Sequence, residues 1–147
     1  MEKITLWEAM ETRHSVRSYT DRKIEGEVKE KFLTAVKRCN HESGLHMQLV
    51  LDEPKAFSGF MAHYGKFSGV RNYIAVVGKK GPELDETCGY YGERLVLFAQ
   101  RLGLIFFSLD GDQVSAKAGR GFYTKLDLGI VKYHFTIGAG NQNFMWA

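Results

Sequence analysis

The side chains best suited to chemistry lie near the start of the chain, in Arg13-His14-Ser15-Val16-Arg17-Ser18-Tyr19. Arg13, Ser15 and Arg17 alternate along a polar stretch, and two guanidinium groups with one hydroxyl make a fork of donors for a single anion. Phosphate suits that set, because guanidinium donors bind its oxygens in pairs and a hydroxyl fills a third position. Solvated arginines in a polar connection share the same pattern, so the spacing by itself leaves both readings open.

Other constellations are weaker. His41, His46 and His63, with Glu42 nearby, raise the question of a metal, but His41 and His46 do not share a helical face and no cysteine joins them. Surface or loop histidines are the simpler account, and no metal is expected. Gly65, Gly69, Gly89 and Gly92 do not stand in the strand–turn–helix setting of a dinucleotide fingerprint. Asp110-Gly111-Asp112 has the form of a turn without the rest of a calcium loop. Tyr90 and Tyr91 suit core or dimer packing, with substrate stacking the alternative. Phe144-Met145-Trp146 suits a packing anchor.

The elements that must position these residues follow from pattern. Thr5 with Glu8 is a capping box and opens a short helix carrying Leu6, Trp7 and Met10, which ends near Arg13. Residues 13–24 are a polar connection. A second helix begins near Glu27, with Val28, Phe32, Leu33 and Val36 on one face. Met47–Leu51 and Tyr73–Val77 are short apolar runs that predict strands, with a short helix over 57–63 between them. Tyr91, Leu95, Phe98, Ala99 and Leu102 recur at spacings of three and four, which predicts a long helix from about Glu83 to Leu102. A strand over 104–109, a turn at 110–112, a returning strand over 113–117 and a helix from Thr124 to about Ile137 complete the reading. No repeat or linker divides residues 1–147, so one domain of mixed α and β is expected.

Composition limits the function classes. The 147 residues carry 20 basic and 17 acidic side chains, a net charge of +3, which is too mild for a nucleic-acid-binding face. A hydrophobic share of 44% and a charged share of 25% suit a folded globular chain. Cys39 and Cys88 stand far apart without CxxC spacing, which suits reduced thiols. The first residues lack the apolar region of a signal peptide, and runs such as Leu104–Phe107 are far too short to span a bilayer. A cytoplasmic protein, with no membrane or nucleic-acid partner, is the expectation.

Three stretches add a family likeness. Glu11–Tyr19 resembles the N-terminal flavin motif of the nitroreductase family. Ser43–Asp52 through Gly89–Arg94, and Lys125–His134 to the end, are similar to a TM nitroreductase-like bacterial branch of it. The likeness covers about residues 7–104 and 107–147. It implies an α+β fold, a nitroreductase-like α/β sandwich whose central, mostly antiparallel sheet is flanked by helices. It also implies a homodimer with FMN at the interface.

By the same likeness Arg13 and Ser15, with His14 between them, approach the FMN phosphate. Arg17 reaches the ribityl chain or the pyrimidine edge, where a cation stabilises the charge of reduced flavin near N1. His46 and Gln48 flank a strand and are candidates to face the flavin, although satisfied polar groups at a strand edge read equally well. No side chain need act as a nucleophile, so no catalytic residue is named. The implied activity is ping-pong: NAD(P)H gives a hydride to FMN, and reduced FMN passes electrons to a nitroaromatic, quinone or similar acceptor.

The chain also departs from the family. Leu104 runs almost directly into Phe107–Asp112, which resembles a much later part of the family, so the fold reads as truncated, with a block missing near 104–107. Phosphate donors and ring contacts expected in that block are then absent. Each charge-assisted bond is worth roughly 1.5–3 kcal/mol, so flavin affinity is expected to fall. The alternative function is therefore a non-catalytic dimerising remnant of the fold that no longer binds flavin productively. A module for another phosphate-bearing ligand is a third reading, resting on the arginines alone.

Overall fold

A computed structural model of the chain describes residues 4–13, 17–58, 67–104 and 124–140. Helix α1 spans Leu6–Thr12 and is opened as the sequence predicts: Thr5 Oγ1 accepts from the Glu8 amide at 3.1 Å, and Glu8 Oε2 accepts from the Thr5 amide at 2.8 Å. These bonds to Thr5 hold the Glu8 carboxyl below its usual range. Helix α2 spans Gly26–Ser43 and buries Phe32, Val36 and Cys39, one stripe at spacings of four and three.

Asn40, near the end of α2, determines where the sheet begins. Its side-chain amide donates to the Met47 carbonyl at 2.9 Å, and its carbonyl oxygen accepts from the Met47 amide at 2.7 Å. The side chain thus stands in for a neighbouring strand at one residue. Strand β1 runs His46–Val50, one residue earlier than the apolar run suggests. Beyond it Asp52 turns to a positive φ of 54°, and its amide bonds the Asn72 side chain. Strand β2 spans Tyr73–Val77 and pairs antiparallel with β1, with Met47 opposite Val76 and Leu49 opposite Ile74.

Helix α3, Leu84–Arg101, lies between two apolar clusters. Leu95, fully buried, joins Phe32, Val36, Cys39, Leu45 and Met47 on one side, while Leu97, equally buried, joins Ala9 and Tyr133 on the other. Each such leucine contributes roughly 1.5–3 kcal/mol by leaving water. Among the described residues the architecture is α+β: four helices around one antiparallel strand pair. The predicted strands over 104–117 lie outside the described residues except for Leu104, and most of the predicted helix over 57–63 lies outside them too.

Helix α4, Thr124–Ala139, packs on α3 through two glycines. A Cβ on Gly89 would stand 2.0 Å from the Leu126 carbonyl oxygen, and one on Gly129 would stand 2.0 Å from that of Glu86. The backbones touch where neither helix carries a side chain. Near this crossing Lys132 pairs with Glu86. Helices α2 and α3 are joined by Glu42, which Arg38 bonds at 2.8 Å and which Arg94 also bonds.

Two outcomes follow from this packing. Gly129→Ala forces the helices apart and lowers stability by on the order of 2 kcal/mol through overpacking. Gly92→Ala meets no atom within 4 Å and raises stability by up to about 1 kcal/mol through helix propensity. Calorimetric melting of both variants checks the contrast. The second outcome concerns acid. Hydrogen bonds from Arg94, then from Arg38, hold the Glu42 carboxyl below its ordinary value of 4.5. A depressed acid stabilises the fold fully above its unfolded value, and the contribution is lost as pH falls through the folded one. Denaturant melts below about pH 4.5 should show that loss, and Glu42→Gln should flatten it.

Candidate functional site

Helix α1 stops at Arg13, whose backbone is extended. Its Nε lies 2.9 Å from Oε1 of Glu93, a carboxylate on α3 that is only 4% exposed. The contact is close but not aligned as a hydrogen bond, so it acts as an ion pair. His134 of α4 places Nε2 at 2.9 Å from the same oxygen. One buried carboxylate therefore gathers α1, α3 and α4. Seven residues along α3, Gln100 donates to Thr12 Oγ1 at 3.4 Å, which fastens the end of α1 a second time.

His14 and Ser15 lie outside the described residues. The chain is next pinned at Ser18, which forms a parallel bridge with Ser68. The Tyr19 amide donates to the Ser68 carbonyl at 3.0 Å, and the Ser68 amide donates to the Arg17 carbonyl at 2.8 Å. Gly69 permits this approach: its φ is 71°, and a Cβ there would stand 2.3 Å from the Tyr19 carbonyl oxygen. The second arginine of the motif is thus mounted on a fixed backbone.

The Arg17 guanidinium lies 5.9 Å from the centre of the Phe67 ring, within cation–π range. A row of aromatic rings continues from there. Phe67 meets Phe57 edge-on at 6.0 Å, and Phe57 meets Tyr73 at 5.5 Å. Beside the row is an open hollow of about 350 Å³, lined by Tyr19, Asp21, Phe57, Phe67, Val70 and Arg71. Arg71 is held by Asp52, with Nη2 to Oδ1 at 2.5 Å. That contact, and above all the Arg71 hydrogen bond, keeps the Asp52 carboxyl below its usual range. Burial pushes the Tyr19 phenol up.

His46 and Gln48 are exposed on β1 while Met47 between them is buried. Their register partners are Val77 and Ala75, so both stand on the outer face of the strand pair. By register Tyr73 shares that face, and the aromatic row leads from it toward Arg17. The structure therefore sorts the candidates by surroundings: Arg13 is turned to Glu93, Arg17 to the aromatic row, and His46 and Gln48 to the outer face of the sheet. Among the described residues no group of three His, Cys, Asp or Glu side chains is placed to hold a metal. No described helix is long and apolar enough to cross a membrane.

Two features escape a reading by motif. Glu93 falls on the buried stripe with Gly89, Leu97 and Gln100, and a carboxylate on a stripe that faces inward is itself the signal of a buried partner. The row Phe57–Phe67–Tyr73 has no local signal, because its members come from separate segments.

Comparison with known proteins adds one finding. The family model described as Putative TM nitroreductase matches residues 5–105, more than two thirds of the chain. No curated protein and no solved structure matches it. The matched span includes α1, the arginine segment, both strands and all of α3. By that match, the chain belongs to the nitroreductase family described as Putative TM nitroreductase.

Proposed function

We propose that the chain is an FMN-dependent NAD(P)H oxidoreductase that reduces nitroaromatic, quinone or similar acceptors as a homodimer. Membership in the nitroreductase family is the observation that carries this reading. The donor chemistry beside the aromatic row fits the cofactor. Arg17 supplies a cation on a fixed backbone, and Tyr19, Phe57 and Phe67 supply aromatic surface next to the 350 Å³ hollow. When bound, FMN supplies the hydride acceptance and onward electron transfer that no side chain here provides.

The protein's part in that chemistry is binding and electrostatics. Arg17 would hold the cofactor, joined by His14 and Ser15 from the adjoining segment, and its positive charge would favour the reduced, anionic form. His46 and Gln48 are available on the outer sheet face as polar contacts for a ring. Arg13 acts one step removed, as a positioning residue: its ion pair with Glu93 fixes the helix end from which the motif departs. FMN at the interface of two copies belongs to the same reading, and light scattering that gives a single-chain mass would remove that part.

A second reading, the non-catalytic remnant, is favoured by one observation. The guanidinium expected to lead phosphate binding is drawn to Glu93, which leaves fewer donors for a flavin. Stoichiometric FMN with NAD(P)H oxidation would exclude it.

The two arginines should separate cleanly in experiment. Arg17→Ala is expected to weaken FMN binding by at least about tenfold, the lower bound for a lost charge-assisted contact, while lowering apo stability by less than Arg13→Ala does, since its contact with Phe67 is worth about 0.5–1 kcal/mol. Arg13→Ala is expected to lower apo stability by on the order of 2–3 kcal/mol, somewhat less than a broken buried pair usually costs because His134 still faces Glu93. Fluorescence titration with FMN and denaturant melts check both. Equal FMN affinity in Arg17→Ala and the parent would sink the assignment of that residue.

A further inference from the structure

A cleft of about 650 Å³ lies between the four helices, within the roughly 300–1,000 Å³ of small-molecule sites. Leu6 of α1, Ala35 of α2, and Leu95 and Phe98 of α3 give it an apolar wall. Its rim is charged, but the cations there are engaged. Lys31 bonds Glu27 at 2.7 Å, Arg38 and Arg94 both bond Glu42, and Arg101 donates to the Ile4 carbonyl at 3.1 Å. An anion would compete with these partners while facing Glu27 and Glu30, and a cation would meet Arg38, Arg94 and Arg101. A neutral molecule disturbs none of them. Neither Arg13, Arg17, His46 nor Gln48 lines the cleft, so it is distinct from the residues proposed to hold flavin.

Tyr133 of α4 adds an independent observation. It lines the cleft, is only 8% exposed, and among the described residues its hydroxyl makes no hydrogen bond. Its ring is held edge-on by Tyr90 at 5.0 Å. A buried hydroxyl without a partner is unfavourable, so its place beside open space is informative. Arg94 and Cys39 act electrostatically on this phenol and line the same cleft, which puts the hydroxyl on the cleft side of the ring. Burial pushes the Tyr133 phenol up to about 12 and raises the Cys39 thiol, so both keep their protons at neutral pH. With the Arg94 guanidinium beside them, these groups offer protons, and an oxygen that accepts is the atom they suit.

We propose that this cleft binds a neutral small molecule, with an apolar body against Leu6, Ala35, Leu95 and Phe98 and a carbonyl oxygen that accepts from the Tyr133 hydroxyl. A pure hydrocarbon would fill the apolar wall and leave that hydroxyl buried without a partner. A charged molecule would break into the ion pairs of the rim. A neutral ketone on a flat aromatic body satisfies the wall, the rim and the hydroxyl together. The proposal does not depend on the flavin reading.

The test uses the whole chain and equilibrium dialysis of 2-acetonaphthone, with 2-ethylnaphthalene as the control without a carbonyl and 2-naphthoate as the anionic one. Saturable one-to-one binding of the ketone, at least about fivefold tighter than either control, is expected. Tyr133→Phe removes only the hydroxyl. It should melt no lower than the parent, weaken the ketone by at least about fivefold and leave 2-ethylnaphthalene unchanged. Ala35→Leu narrows the apolar wall and should weaken the ketone and the hydrocarbon alike; if that variant melts lower than the parent, the Tyr133→Phe contrast decides alone. Saturating FMN should leave ketone affinity as it was. No ketone binding, a control that binds as tightly, or parental ketone affinity in Tyr133→Phe or in a stably folded Ala35→Leu would overturn the assignment. Displacement of the ketone by FMN would place the flavin here and overturn it too.

Discussion

The structure turns on one carboxylate that cannot be left alone. Glu93 sits inside the helical layer, and a charge removed from water is tolerated only when opposite charge and hydrogen bonds replace its hydration. Arg13, just past the end of α1, and His134 of α4 do so, both at 2.9 Å. Meeting that one requirement fixes the end of α1 against α3 and the face that α4 turns to both. It also divides the arginine motif, because the first guanidinium is engaged in the scaffold while the second is carried outward to the aromatic row.

Around that point the fold is organised by α3, which has no exposed face to spare. Leu95 and Leu97 point into separate apolar clusters, and Gly89 lets α4 come to backbone contact on a third side. The strand pair is fastened to this layer by Asn40, whose amide supplies the bonds that a further strand would give at Met47. The loops that carry Arg17, Arg22 and Arg71 are then tied to each other through Ser18 and Ser68. This gives a common form of site, with chemistry displayed on connections whose ends are set by rigid elements.

Much of the scaffold is legible in the sequence because its causes are local. The Thr5–Glu8 capping box, the Phe32–Val36 stripe and the spacing from Tyr91 to Leu102 each depend on neighbours within a turn or two. The alternation that exposes His46 and Gln48 follows from the two-residue period of a strand. The partners of Arg13 are not legible, since the phosphate and the carboxylate readings require the same side chain, and Glu93 is eighty residues away. The start of β1 is one residue earlier than its apolar run because Asn40 acts from another element. The aromatic row beside Arg17 depends on how segments 57, 67 and 73 meet, which no spacing records.

The family match and the placement of Arg17 are what support the proposal of a flavoprotein. A visible absorbance spectrum of the purified protein, recorded with added FMN after removal of unbound cofactor and then with NADPH, tests it most directly. A retained flavin band that bleaches when NADPH is added and returns with an electron acceptor is the expected result. A colourless protein that takes up no FMN would contradict it, and the fold would then record ancestry without the chemistry.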